Sequence, residues 1–550
     1  MQDFLSLIPL GGVGDVTKNM YLYQYKDEVL IVDCGIGFAD ETMLGVDLLL
    51  PDISYLLQSK KKIAGMVITH GHEDHMGALP FILPQISQQF PIYASRLTAA
   101  LANEKLKEFA VPTRVEVVPF GKTTQIGSFS ATFIPVTHSV PDTSHIFITT
   151  PVGNFYHGSD FKFDDTPYDG KKSDYEMIKR LSSQGVLCLL SDCLGAEREG
   201  RTGSEKDILS HFQDAIAKSK GKCIITTYSS HMARLNQIIE ATRNANRHIS
   251  FVGRSLIKTK DVGKREGYLH LPSELDVPID QIKNYPDNQL VLVVAGTQGQ
   301  QESAMVRMAN NQHKDVKINE EDTVIFSADP IPGNEVLVHE LIDTLARRGA
   351  TVLYPPVSHA FHVSGHGSQE ELSQLMQLTK PKHIIPIGGQ FRHMTAYRNM
   401  AISQGVSKNN ILLLDDGQEV MFSRNEAGLG KKIPVKNVYV DEVSGEEVEH
   451  YVLRDRQKLS EGGIVIVLCE IDSGNGQLVG KPEVIIRGFS PDVARLSQRI
   501  FKDISTALSQ KKDRVTNWVY IRKLIGQITE RRIYRDIRRE PLVLPVVIEV

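Results

Sequence analysis

The chain has 550 residues, 41% hydrophobic and 23% charged, with a formal net charge of −4. These values fit a globular protein of about two to four domains and exclude one that binds nucleic acid by overall charge, so any polyanion must be held by local groups. The five cysteines (34, 188, 193, 223 and 469) are scattered without a C-x-x-C pair, which excludes a disulfide framework and a cysteine zinc site.

The N-terminus, Met1 to Ile8, enters an apolar strand at once, with no basic segment or small-residue cleavage site. No apolar run reaches the roughly 18 residues of a membrane span. The expected setting is the cytoplasm, with no membrane contact.

Strands are expected over 4–10 and 20–33. The loop between them, Gly11-Gly12-Val13-Gly14-Asp15-Val16-Thr17-Lys18-Asn19, lacks a G-K-[ST] ending and reads as a tight turn rather than a phosphate cradle. The second strand ends in Asp33, read as the orienter of a metal ligand.

A buried strand from Ile63 to Thr69 is followed at once by His70, His72, Asp74 and His75. Imidazole and carboxylate together suit zinc, or manganese if the carboxylates dominate. The spacing H-x-H-x-D-H suggests two metals side by side, His70 and His72 facing one, Asp74 and His75 the other. Gly77 and Ala78 open an apolar, helix-like segment, Leu79 to Ile86.

The pattern of a strand with a ligand at its tip recurs. Phe133 to Ser139 carries His138, the natural third ligand of the first metal. The strand from Gly153 ends at Asp160, whose two oxygens suit a bridge between both metals. A further strand, Val186 to Ser191, ends in Asp192, and Glu197 to Gly203 reads as a loop leaving the domain. Residues 204–350 alternate helix-like stretches (205–219, 233–245, 335–348) with buried strands, as in a largely parallel sheet.

Residues 351–425 hold the run Ser358 to Ser368 with His359, His362 and His366. It reads either as a polar loop or as an anion site of His and Ser donors and Gly backbone N–H groups. A polar linker is expected over 426–450. Residues 451–550 form a third unit, with strands near 463–471 and 483–487, helices near 491–509 and 516–539, and a last strand, Val543 to Val550. Segment 521–540 has seven Lys/Arg against three acids: a solvated helix face, or a minor RNA or subunit contact.

The motif H-x-H-x-D-H, with Asp33 before it and His138 and Asp160 after it, resembles the metallo-β-lactamase fold. The unit at 204–350, with Asp192 before it and the His-rich loop after it, resembles the β-CASP insertion of nucleases in that superfamily. Leu10 to Gly14, Gly45-Val46-Asp47, Asp160 to Asp164, Ser327 to Glu335, His362 to His366 and Leu544 to Val550 are similar to the ribonuclease J family in particular. The resemblance covers essentially the whole chain. It implies an α/β fold: a metallo-β-lactamase αβ/βα sandwich (1–203 and 351–425, the latter with the phosphate-binding loop), an inserted β-CASP α/β domain (204–350) and a small α+β C-terminal domain (451–550).

The resemblance further implies a two-metal ribonuclease of RNA maturation and decay, with endonuclease and 5′-to-3′ exonuclease activity on single-stranded RNA. Carried over by motif, His70, His72 and His138 hold one metal, Asp74 and His75 the other, with Asp160 between them. Zinc is expected, with manganese or magnesium as alternatives. Asp192 matches the proton donor and His366 the proton acceptor; with Asp74 they are the expected catalytic residues. The loop His362, Val363, Ser364, Gly365 and His366 grips the substrate phosphate, helped by Ser230 and His231. The C-terminal domain serves assembly into homodimers or homotetramers.

There is one departure. The family's Pro-Val-His-Gly-Glu reads here Pro386-Ile387-Gly388-Gly389-Gln390. The His expected at 388 as a ligand of the second metal is Gly, which weakens that site or suits it to manganese. His393 could replace it only in a rebuilt loop. Two other functions share parts of this pattern. A small-molecule hydrolase would use the same metal residues but has no reason for the insertion. A non-catalytic RNA-binding subunit fits Gly388 but not the intact ligand cluster.

Overall fold

The first strand, Leu5–Gly11, is buried at every position, and so is Met20–Tyr25. Strands buried on both faces carry continuous apolar runs, and they sit at the centre of a layered structure. These strands belong to an eight-stranded sheet, ordered 427–432, 418–422, 5–11, 20–25, 28–32, 62–68, 92–94 and 115–117. A six-stranded sheet (123–126, 129–135, 144–150, 153–158, 188–192, 383–387) faces it. One apolar core joins the two: Tyr23 and Leu30 of the first meet Phe133, Phe155 and Leu190 of the second. Tyr23 and Phe155 pack edge-to-face at 5.5 Å. This is the metallo-β-lactamase sandwich.

The computed structural model describes residues 3–40, 42–331, 333–355, 357–424, 426–441, 447–474, 478–489, 492–509 and 518–550. Positions 1, 2, 332, 425, 442–446, 491 and 510–517, which fall in segments read above, lie outside these, as does the side chain of His359. The described chain forms two compact units, 1–38 with 49–438 and 39–48 with 439–550. Among the described residues no helix is long and apolar enough to cross a membrane.

The β-CASP insertion builds its own parallel sheet, ordered 248–252, 290–294, 223–226, 323–326 and 351–353. The last strand, Thr351–Leu353, lies just beyond the expected end at 350. The chain then returns through Gln369–Thr379 and the strand His383–Ile387, which pairs in parallel with Cys188–Asp192. Segment 20–33, read as one strand, is two, Met20–Tyr25 and Glu28–Val32, joined at Lys26 in the left-handed region. The stretch read as a linker begins as a strand, Ala427–Lys432, paired with Gln418–Phe422.

In the C-terminal unit, strands 483–487, 464–471 and 542–549 form one sheet. One face is packed by the helices: Val465, Val467, Ile471 and Val543 meet Ile500, Ile504, Ile521 and Ile525. The other face presents alternate apolar residues, Leu544, Val546 and Ile548, at 42%, 39% and 44% exposure. Arg456 Nη1 donates to Leu44 O (3.0 Å) and Gly45 O (2.8 Å), tying 39–48 into this unit.

Candidate metal centre

Strand geometry converges the ligands. The strand Lys62–Ile68 ends at Thr69, and the chain turns through His70–Gly71–His72 into the short helix Glu73–Met76. His138 follows the strand Phe129–Pro135 and Asp160 follows Gly153–Gly158, both of the facing sheet. His70 Nε2 lies 3.1 Å from His72 Nδ1, which lies 3.2 Å from His138 Nε2. Asp160 Oδ2 sits 3.6 Å from His70 Nε2 and 3.8 Å from His138 Nε2. On its other side it is 3.5 Å from His75 Nε2, which is 3.6 Å from Asp74 Oδ2. The two ligand sets named from sequence, His70/His72/His138/Asp160 and Asp74/His75/Asp160, thus share one oxygen.

This donor set fits divalent metal ions. Adjacent ligand atoms around a tetrahedral zinc with bonds of about 2.0–2.1 Å are separated by about 3.3 Å, close to the spacing of the three nitrogens. Ligand histidines must be neutral, which the three histidines of the first set satisfy as they stand and His75 of the second only once a bound cation displaces its proton. Burial drives the pKa of His70 and His138 well below the ordinary value and that of His72 to about 3. Each ring also has its remote nitrogen held. His70 Nδ1 lies 3.0 Å from Thr69 Oγ1, His72 Nε2 lies 3.2 Å from Ser139 Oγ, and His138 Nδ1–H donates to Gly365 O at 2.7 Å. Such outer partners fix the ring orientation of a metal ligand.

The second set is richer in charge. His75 Nδ1–H donates to Asp33 Oδ2 at 2.7 Å. Burial opposes a charge on His75, but Asp160, Asp74 and Asp33 together raise its pKa well above the ordinary value. Burial pushes Asp74 up to about 6, with Asp160 adding to it against His75. Asn19, from the Gly-rich loop, anchors this set by donating its backbone N–H to Asp74 O at 3.0 Å. A Cβ at Gly35 would meet Asp74 O at 1.6 Å, so only glycine permits that approach.

His366 Nδ1–H donates to Asp192 Oδ2 at 2.8 Å, and its Nε2 points toward Asp160 Oδ2 at 3.9 Å. Burial disfavours charge on this ring too, but Asp192 and Asp160 raise its pKa to about 9. Gly365 lies against the His138 ring, where an added Cβ would come within 2.9 Å. Ser364 and Val363 are half-buried beside it, and His362 Nε2 lies 3.4 Å from Asp329 Oδ2.

His231 lies near enough to the cluster to help lower the pKa of His72, and it and Ser230 have their own surroundings. His231 is fully buried; its Nε2 lies 3.2 Å from Glu205 Oε1 and its Nδ1 accepts from Arg234 N. Ser230 is half-buried at the entrance to that helix. His393 is engaged elsewhere: Nδ1 accepts from Gln390 N at 3.2 Å and Nε2 faces Glu197 at 3.4 Å. At Gly388, in the left-handed region (φ +65°), an added Cβ would make ordinary van der Waals contact with Asp160 Oδ1 and Asp192 Oδ1, at 3.7 and 3.8 Å. Sequence reasoning missed Asn19, Thr69 and Ser139. Each is a common polar residue whose contact lies far along the chain, with the exception of Thr69, hidden as the last residue of an apolar run.

Comparison with known proteins matches four family models: the metallo-β-lactamase superfamily (13–185), the ribonuclease J β-CASP domain (220–345), the Zn-dependent metallo-hydrolase RNA specificity domain (357–412) and the ribonuclease J C-terminal domain (451–550). Ribonuclease J2 of Bacillus subtilis strain 168 is 33% identical over 551 residues, 99% of this chain and 98% of the relative. Ribonuclease J 2 of Staphylococcus aureus MRSA252 is 32% identical over 553 residues, with the same coverage. A crystal structure of a protein of unknown function from Enterococcus faecalis V583 aligns with TM-score 0.54 at 15% identity, over 76% of this chain and all of the other, a likeness of fold alone. Matched over nearly its full length and carrying the metal-ligand cluster, the chain is a metal-dependent ribonuclease and belongs to the ribonuclease J family.

Proposed function

We propose that the protein degrades and matures single-stranded RNA as a 5′-to-3′ exonuclease that also cuts internally, with two divalent ions, zinc first among them. The observation that carries this reading is Asp160 Oδ2, with His70, His75, His138 and His366 ring nitrogens 3.5–3.9 Å around it. A carboxylate placed so can serve two ions at once. Such ions neutralise phosphoryl oxygens and acidify water when bound.

The chain's own groups would do the rest. His70, His72, His138 and Asp160 would hold one ion; Asp74, His75 and Asp160 the other. The loop 362–366 would set the scissile phosphate against them. Asp192 and His366 form the proton-handling pair. The hydrogen bond from Nδ1 to Asp192 favours His366 Nε2 as the atom that exchanges the proton, with Asp192 holding the ring. The metallo-β-lactamase parts and the insertion at 204–350 would enclose the RNA, and residues 451–550 would serve assembly.

The open face of the C-terminal sheet supports a homodimer or homotetramer, because apolar strands left uncovered on one side are ordinarily buried by a partner.

The test is cleavage of a 5′-monophosphorylated, 3′-labelled RNA by the parent chain, Asp74→Ala and His366→Ala. Metal-dependent release of mononucleotides, abolished by both substitutions, is expected. Intact RNA binding without cleavage in zinc, manganese or magnesium would replace the reading with that of a non-catalytic subunit.

A further inference from the structure

Arg198 is exposed, yet one corner of its guanidinium is fixed. Nη2 donates to Ser364 Oγ at 3.0 Å and to His366 O at 3.2 Å. Its backbone is fixed as well: Arg198 N–H donates to Gly195 O at 3.0 Å, and its carbonyl accepts Gln369 N–H at 3.0 Å. Among the described residues Nε and Nη1 have no hydrogen-bond partner. The adjacent Glu197 faces Arg392 at 3.1 Å and His393 at 3.4 Å rather than Arg198, and Asp329 is near enough for the Arg198 charge to help lower its pKa without pairing with it.

The contact changes what Ser364 can do. A hydroxyl has two acceptor lone pairs and one hydrogen. Ser364 Oγ already accepts His366 N–H at 3.1 Å and Arg198 Nη2–H at 3.0 Å. Both lone pairs are taken, so the hydroxyl hydrogen is left to donate, and no acceptor for it is found among the described residues. A committed O–H donor and a guanidinium whose Nη1 and Nε hydrogens are unpaired among the described residues therefore lie together, next to the His366–Asp192 pair. With both Nη2 hydrogens engaged, Nη1 and Nε keep hydrogens that point to different sides, each able to donate singly to a phosphate oxygen, and the guanidinium is a permanent cation beside the Ser364 hydroxyl.

We infer that Arg198 is a substrate-binding residue that takes an RNA backbone phosphate together with the Ser364 hydroxyl. This rests on the ribonuclease reading above and adds to it a direct charge contact supplied by the loop after Asp192. A tether alone would explain the Nη2 contacts but leaves the Nη1 and Nε hydrogens and the committed hydroxyl without a partner among the described residues.

The test reads binding in the full chain carrying Asp74→Ala, so that turnover does not intervene. Affinity for a 5′-monophosphorylated oligoribonucleotide is measured across salt concentrations for that parent and with Arg198→Gln, Arg198→Lys or Ser364→Ala added. One phosphate contact on a single strand contributes about 0.7 to the slope of log affinity against log salt. Arg198→Gln is expected to weaken binding about tenfold and flatten the slope by about 0.7. Arg198→Lys should restore the slope but only part of the affinity, and Ser364→Ala should weaken binding with the slope unchanged. Unchanged affinity with Arg198→Gln, or weaker binding at an unchanged slope, would overturn the inference. Cleavage of the same RNA by the chain without Asp74→Ala tests the ribonuclease reading separately.

Discussion

Asp33 Oδ2 accepts His75 Nδ1–H at 2.7 Å while Asp33 Oδ1 accepts the backbone N–H of Thr69 at 2.7 Å. One carboxylate thus orients a proposed metal ligand and pins the strand end from which all four residues of the H-x-H-x-D-H motif depart. It does so from the left-handed region (φ 63°), a conformation costly for a side-chain-bearing residue and tolerated best by Asn and Asp. Asp33→Asn keeps the shape and removes the charge. Loss of an outer partner typically costs about 10–100-fold in metal affinity. Calorimetric metal titration should show that loss in the Asp74/His75 set with the His70/His72/His138 set little changed; equal affinity in the variant would show that Asp33 only shapes the turn.

Asp160 and His138 separate the two ligand sets. Asp160→Asn should reduce bound metal in both, because Oδ2 faces His70 and His138 on one side and His75 on the other. His138→Ala should reduce it in the first alone. Metal per chain, measured by mass spectrometry after dialysis, distinguishes the two outcomes. A loss confined to one ion in Asp160→Asn would mean that its carboxylate is not shared.

Gly388→His starts an imidazole side chain from a Cβ in van der Waals contact with Asp160 Oδ1 and Asp192 Oδ1. The positive φ carries a strain of about 1–2 kcal/mol, so a slightly lower melting temperature is expected. Metal retention against a chelator should nevertheless rise, since a weak set gains a ligand. Retention equal to that of the parent chain would mean that the added side chain does not face the ions.

The buried pair Glu205–Arg234 predicts an acid-dependent stability. Arg234 Nη2 donates to Glu205 Oε2 at 2.9 Å, and Nη1 donates to Ser327 O and Phe361 O at 3.0 Å, one residue before His362. Burial raises the pKa of Glu205, but Arg234, His231 and Lys162 outweigh it and hold the carboxyl well below its ordinary value. A depressed folded pKa gives stability that is fully present above the ordinary carboxylate pKa and is lost as pH falls through the folded one. Glu205→Gln should therefore cost about 3–5 kcal/mol at neutral pH. Its difference from the parent in urea unfolding should shrink below about pH 4. A difference independent of pH would show that the carboxylate charge is not what stabilises the contacts around Arg234.

Paired Val546→Glu and Ile548→Glu substitutions put charge on the open face of the C-terminal sheet. If this face joins copies of the chain, light scattering should show a lower mass, while hydrolysis of a small phosphodiester is unchanged. An unaltered mass would place the assembly contact elsewhere.

The candidate metal ligands were legible because His70, His138 and Asp160 follow the ends of apolar strands, and four of the six fall within six residues, entering the helix Glu73–Met76. The alternation of helix and strand over 204–350 likewise marked a parallel sheet, since strands buried on both faces need uninterrupted apolar runs. Less could be read where a residue's role depends on a partner far along the chain. His231 is a donor in a polar tetrapeptide by sequence, and a buried partner of Glu205 in the folded chain. Arg198 reads as one charge in an acidic loop; only folding sets it against Ser364 and His366. His393 was a conceivable replacement ligand until the turn at Gln390 directed it to Glu197.

The sequence by itself determined the family, the layered α/β architecture and the six residues able to hold metal, because these rest on local apolar patterns and short ligand spacing. Only the tertiary structure decided which donors share Asp160, which nitrogen of each histidine faces the cluster, and which polar residues serve the site rather than the core. Those depend on distances between segments tens to hundreds of residues apart, fixed when the two sheets pack and buried groups must find hydrogen-bond partners.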